Sequence, residues 1–191
     1  MIPVLTIAVL VFPDVEPLDA IGPLEVFGAA GMLLEEAVAS GASPPVPIPR
    51  PVVVGVGPGP VHTRHGLTIL PEHDLRSHPL PDPHWVLVPG GGGSHRVAED
   101  PVVLQWLRRL AAEPGRDRRI MSVCTGTRVL AAAGLLAGRR ITSHAIALAE
   151  LRRRVPDADV LEAARWVRDG SIWTSGGVTA GIDMAVAAVE D

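Results

Sequence analysis

Residues 119–134 read RIMSVCTGTRVLAAAG, and this stretch decides the fold. After Arg119 the run is uncharged and dominated by Ile120, Met121 and Val123. That is the pattern of a strand covered on both faces of a parallel sheet. The run ends directly on Cys124. From 126 to 133 the spacing turns helical, and Gly134 supplies the stop. A buried strand that passes at once into a helix resembles a nucleophile elbow, in which the turn exposes a side chain above the sheet. A helix N-terminus at this point is expected to lower the thiol pKa and make the thiolate available. The same position also suits a small buried hydrophobe, which free cysteine often is.

Working outward, strands alternate with helices. Residues 4–12 are apolar and β-branched, with Thr6 the only polar member, and predict a central strand stopped by Pro13. Residues 21–38 predict a helix, with Pro23 tolerated near its start. Residues 40–51 hold five prolines and predict a loop. Strand character resumes at 52–56, and residues 61–70 predict a hairpin or strand pair around Gly66. A strand at 85–88 runs into Pro89 and four glycines. A helix follows at 101–112, with Asp100 as N-cap and Pro101 at its first position. A short strand at 140–142 precedes a helix to about 153. Trp166-Val167 and residues 172–174 pair across the Asp169-Gly170 turn, and 178–189 form a closing helix. The pattern predicts an α/β fold with a mostly parallel sheet and helices on both faces, organised as a single domain over 1–191. In such sheets function gathers at the carboxyl ends of the strands.

Composition narrows the chemistry. Apolar residues make up 47% of the chain and charged residues 20%, which excludes a disordered protein. The net charge of −4 gives no footprint for nucleic acid. All 17 basic residues are Arg, so lysine Schiff bases and P-loop lysines are excluded. Tyr is absent. A single Cys forms no internal disulfide and no Cys-rich zinc site, which suits a reducing cytoplasm. The apolar N-terminal run lacks a basic n-region and a cleavage site, so it is read as a strand rather than a signal peptide. No segment approaches 18 consecutive apolar residues, and no membrane partner is expected.

Two further loops carry candidates. In Pro89-Gly90-Gly91-Gly92-Gly93-Ser94, glycines let backbone N–H groups approach a ligand and stabilise charge made by attack of Cys124. The alternative is a tight strand-to-helix turn, since no phosphate-binding fingerprint is present. Asp19 lies just past the first strand, where a carboxyl group serves as proton donor or base beside the sulfur, or as an ordinary N-cap. Six of the seven His fall between His62 and His95 at irregular spacing, so no metal site is expected. His144 is the one His after Cys124, and a local capping role is favoured for it.

These blocks together resemble the ThiJ/PfpI superfamily, whose members have a class I glutamine-amidotransferase-like, flavodoxin-like three-layer fold. The resemblance rests on Phe12-Pro13-Asp14-Val15 with Leu18-Asp19 and Gly22-Pro23, and on Val88-Pro89-Gly90-Gly91. It continues through Ser122-Val123-Cys124-Thr125-Gly126, through Ala133-Gly134-Leu135-Leu136-Ala137-Gly138-Arg139-Arg140, and through residues 174–183. Two branches are most similar: the isonitrile hydratases and the N-terminal domains of AraC-type transcription regulators. Peptidases of the superfamily place His directly after the Cys, where this chain has Thr125. Glutamine amidotransferases use a distal His-x-Glu pair, whereas Ile146 stands two residues after His144.

The hydratase resemblance implies that Cys124 attacks the terminal carbon of R–N≡C, that Asp19 manages the protons, and that water releases an N-substituted formamide. It implies that Thr125 supports the site through its hydroxyl and N–H, that Gly91 supplies a second N–H, and that Gly90, Gly92 and His144 line or support the pocket. No metal or organic cofactor is needed, and a homodimer acting on a small molecule is expected. The regulator resemblance implies ligand sensing without turnover. A third reading is a stress-related thiol that oxidises readily. Where both branches resemble a Thr-Thr-His-Trp pattern, this chain reads Thr142-Ser143-His144-Ala145, so the pocket loses a large ring. Family members continue past the position of Asp191, and a C-terminal extension is expected to be missing here.

Overall fold

A computed structural model describes residues 2–113 and 117–191. In chain order the elements are β1 (Val4–Val11), α1 (Pro17–Ala39), β2 (Ile48–Gly55), β3 (Val61–His62), β4 (Thr68–Ile69) and β5 (His73–Asp74). They continue with β6 (Trp85–Val88), α2 (Ser94–Val97), α3 (Pro101–Ala112), β7 (Arg119–Val123), α4 (Thr127–Ala132) and β8 (Arg140–Ile141). The chain closes with α5 (Ala145–Arg154), β9 (Asp159–Val160), β10 (Trp166–Asp169), β11 (Ile172–Ser175) and α6 (Thr179–Glu190).

The central sheet has seven strands in the order β10-β11-β7-β6-β1-β2-β5. Every neighbouring pair is parallel except the β10–β11 hairpin. Its middle strands are apolar because helices cover both faces: β6 and β7 are buried throughout. From β1 the chain first builds outward through β2 to β5, then returns to β1's other side for β6, β7 and β11. Right-handed crossovers that run in opposite directions place α1 and α3 on opposite faces. The reversal lies between β1 and β6, and a crevice opens at their carboxyl ends.

Two boundaries differ from the sequence pattern. The first helix begins at Pro17 rather than near 21, with Pro17 in its first turn, so Asp19 lies inside that turn and is no N-cap. The proline-rich stretch is not all loop: β2 starts at Ile48 and includes Pro49 and Pro51, opposite Leu5 and Ile7 of β1. Same-parity residues of a parallel strand face the same neighbour, and Val53 sends its carbonyl toward Glu72 on the β5 side. Pro49 and Pro51 therefore turn their missing donors to a side where β5 does not reach, pairing as it does only with Val54 and Gly55.

Helix α1 spans 23 residues and is long and apolar enough to cross a membrane. Here it packs on β1, β2 and α6, burying Ala20, Phe27 and Gly31. Met32 and Leu33 on its outer face are exposed, at 69% and 68%. At the other end of the sheet, buried Arg119 lies between the rings of Trp85 and Trp173, 4.3 and 5.3 Å from their centroids. It donates to the Ala188 carbonyl at 2.7 Å and so ties β7 to α6.

Candidate active site

The loops that follow β1, β6 and β7 meet at the crevice. Val15 and Gly91 form an isolated antiparallel bridge, and the Glu16 N–H donates to the Gly90 carbonyl at 2.9 Å. Cys124 follows β7 with φ +58°, a conformation that L-residues rarely adopt outside glycine, and opens one turn of 3-10 helix before α4. Three hydrogen bonds hold the strained turn. The Cys124 N–H donates to the Gly176 carbonyl at 3.0 Å, and the Cys124 carbonyl accepts from Ser143 Oγ at 2.7 Å and Thr127 Oγ1 at 3.2 Å.

Asp19 is fully buried. Its Oδ1 accepts from the Val178 N–H at 2.8 Å and its Oδ2 from the Gly90 N–H at 3.2 Å. Cys124 stands beside the same carboxyl group, the two side chains meeting over Gly90, and each group acts on the other's proton affinity. Gly90 is where backbone must come closest. A Cβ there would stand 2.7 Å from the Cys124 Cβ and 2.8 Å from Asp19 Oδ2. Only glycine lets the carboxyl and the thiol share this space.

The expected thiolate is not what this environment favours. Burial, then the charge of Asp19, push the Cys124 thiol up to about 12, outweighing the lowering contribution of the Thr125 N–H. Burial likewise raises the Asp19 carboxyl above its ordinary range, against the Val178, Cys124 and Gly90 hydrogen bonds. The pair is a neutral thiol beside a carboxyl group of raised proton affinity.

Thr125 turns its side chain away from a purely catalytic post. Its hydroxyl accepts from the Gly91 N–H at 3.0 Å and from Ser94 Oγ at 3.1 Å, and donates to the Gly91 carbonyl at 3.2 Å. The Gly91 N–H, expected to face the reacting group, donates here to the Thr125 hydroxyl, and the Thr125 N–H lies toward the sulfur. His144 caps α5, its Nδ1 accepting from the Ile146 N–H at 3.3 Å, the local role favoured for it. That bond leaves the proton on Nε2 in the neutral ring.

Above the sulfur opens a cleft of about 320 Å³. Gly91, Gly92, Thr125 and His144 line it, so the glycine loop, the elbow and the α5 cap share one space. Among the described residues no group of three or more His, Cys, Asp or Glu is placed to hold a metal ion.

Four contributors escaped the sequence pattern: Val178, Ser143, Arg64 and Arg128. Val178 has φ +54°, unusual for a β-branched residue, and this aims its N–H at Asp19. Arg64 reaches the cleft from the β3–β4 hairpin and Arg128 from α4. Only the two glycines before Val178 hinted at a tight approach, and nothing marked the arginines apart from fifteen others.

Comparison with known proteins agrees with this architecture. The model of the DJ-1/PfpI family matches residues 5–191. An isonitrile hydratase of Pseudomonas putida is 35% identical over 187 residues, covering 98% of this chain and 72% of that protein. The HTH-type transcriptional regulator CdhR of Pseudomonas aeruginosa is 39% identical over 90 residues, covering 46% of this chain and 25% of the regulator. The crystal structure of a ThiJ/PfpI family protein from Pseudomonas syringae superposes with a TM-score of 0.79 at 31% identity, covering 98% of this chain and 69% of that one. A sheet reversing between β1 and β6, a left-handed cysteine after β7 and a match along almost the whole chain lead to one assignment: the protein belongs to the DJ-1/PfpI family.

Proposed function

We propose that the protein is a cysteine-dependent enzyme of the isonitrile hydratase type, converting R–N≡C and water to an N-substituted formamide. The observation that carries this reading is the Asp19–Cys124 pair, a thiol set beside a fully buried carboxyl group over Gly90, with both groups raised in proton affinity. An isonitrile carbon has a lone pair and becomes electrophilic once protonated. It therefore needs a proton and a nucleophile delivered to the same atom. A thiol and a carboxyl group in contact supply both without a free thiolate.

In the first step Asp19 passes a proton to the terminal carbon and takes up the thiol proton, while sulfur bonds to that carbon. The product is the thioimidate R–N=CH–S–Cys124. Water then adds across C=N, its oxygen to carbon and its proton to nitrogen. Collapse breaks the C–S bond: Asp19 takes up the hydroxyl proton as C=O forms, a proton is returned to sulfur, and R–NH–CHO leaves. No electrons are exchanged with an outside partner. The Thr125 N–H steadies sulfur as charge develops, and the Thr125 hydroxyl fixes the Gly91 peptide that lines the pocket. The 35% identity to the Pseudomonas putida isonitrile hydratase supports this reading.

The test is formamide formation from a small aryl isonitrile by wild type and Cys124→Ala side by side. Turnover by wild type and loss of at least about 10³-fold in the variant is the expected result. No turnover by folded wild type removes the proposal. The similarity to CdhR favours a second reading, a ligand-sensing domain of a transcription regulator. That domain would bind a small molecule at the same cleft and leave it unchanged. The enzyme is further proposed to work in the cytoplasm as a homodimer, using the exposed Leu18, Met32 and Leu33 of α1.

A further inference from the structure

The cleft that Cys124 opens into is also lined by two arginines, Arg64 and Arg128, which the chemistry proposed for Cys124 does not use. Arg128 is only 5% exposed. Its Nε donates to Glu150 Oε2 at 2.7 Å, but its two terminal nitrogens have no hydrogen-bond partner among the described residues. They are not among the sealed unpartnered atoms, and the Arg128 side chain lines the cleft. Nor does Glu150 belong to Arg128 alone. Arg154 Nε lies 3.1 Å from its other oxygen, so one carboxylate serves two guanidinium groups.

Arg64 approaches from the β3–β4 hairpin. The hairpin is fixed to the loop after β1 by Arg64 N–H to the Val15 carbonyl and Asp14 N–H to the His62 carbonyl, both 2.9 Å. The Arg64 guanidinium packs against Gly92 and pairs with no carboxylate within 4.0 Å among the described residues. Asp14 packs on the same glycine without pairing to it. Glu16, the acidic residue of the cleft lining, bonds to His65 at 3.2 Å.

A guanidinium on a side chain only 5% exposed, with its terminal donors unbonded, gains a partner when an anion enters the cleft. The free edge of Arg128 is a planar pair of donors, which matches a carboxylate in bidentate fashion. We infer that the substrate is an isonitrile whose R group carries a carboxylate, held by the free edge of Arg128 and by Arg64. The inference rests on the hydratase reading of Cys124. A volume of about 320 Å³ suits a short molecule with one group at each end.

The experiment compares kcat/KM for isocyanoacetate, 3-isocyanopropanoate and 4-isocyanobutanoate with their methyl esters. At least one acid is expected to exceed its ester by about tenfold or more, the scale of one charge-assisted bond. Arg64→Gln, a surface change, and Arg128→Lys, which keeps the charge and loses the planar fork, are each expected to cut that acid-to-ester ratio by about tenfold. Equal rates for acids and esters across the series overturn the inference and leave the hydratase standing. No turnover of any compound ends the hydratase reading. In that case the matching N-formyl amino acids and their methyl esters are titrated into wild type by calorimetry. Tighter binding of an acid, lost in Arg64→Gln, sustains the anion site. Equal or absent binding overturns it.

Discussion

Cys124 and Asp19 define each other's protonation. The carboxyl group raises the thiol through its charge, while burial raises both groups. Alkylation of Cys124 by iodoacetamide is therefore expected to be slow at pH 7–9 and to climb toward a midpoint of about 12. Asp19→Asn removes the repelling charge and is expected to speed alkylation at pH 8 by about tenfold, the effect of one unit. A wild-type midpoint near 9, or an unchanged rate in Asp19→Asn, would refute the pairing. The same shift has a consequence for stability. The fold raises the thiol from 9.0 to about 12, so its contribution is complete below pH 9 and is lost as pH climbs from 9 to about 12. Denaturant midpoints across that window should fall more steeply for wild type than for Cys124→Ala. Cys124, Asp19 and Thr125 could be singled out in the sequence because each sits in a distinctive local block. The direction of the thiol shift could not. It depends on burial and on a carboxyl group more than a hundred residues away in the chain.

At the scale of elements, strained turns hold these groups where strands end. The junction of β11 and α6 passes through Val178 at φ +54°, and the resulting N–H bond to Asp19 fixes the carboxyl. Such a conformation costs on the order of 1–3 kcal/mol for a non-glycine residue. Val178→Gly relieves it, less the entropy that glycine loses on folding. Urea unfolding is expected to show a gain of about 1 kcal/mol, together with slower isonitrile turnover because Asp19 is held less firmly. A less stable variant would mean that Val178 contributes by packing rather than strain. Strand positions were legible because apolar β-branched runs are local signals, as at β1 and β7. The start of α1 was not, since Pro17 and Pro23 compete for the reading of a helix entry and only packing chooses between them. The extent of β2 was hidden for a related reason: proline in a strand is allowed when its missing donor faces an open edge, and edge position is a property of the whole sheet.

The whole molecule brings four distant segments to one point, because the sheet reverses between β1 and β6. Their order along the chain was readable as a resemblance, and the order of strands follows from crossover handedness. The surfaces that a partner covers were less readable, since apolar residues on α1 repeat all round the helix and give no single buried stripe. In the fold, Leu18, Met32 and Leu33 remain exposed on this helix while Phe27 is buried beneath it. Exposed apolar groups along a helix that packs on β1, β2 and α6 fit a self-complementary contact better than a solvated face. Asp19 lies in the first turn of the same helix, so a partner seated on α1 would also restrain the carboxyl group proposed to move protons. Wild type is therefore expected to sediment as a dimer at micromolar concentration. Met32→Glu combined with Leu33→Glu, changes at solvent-facing positions, should yield folded monomers with reduced turnover. A wild type that sediments as a monomer at every concentration would remove the dimer and leave α1 as a partly apolar outer helix. A variant that stays dimeric would place the contact on another face and free Asp19 from any partner's influence.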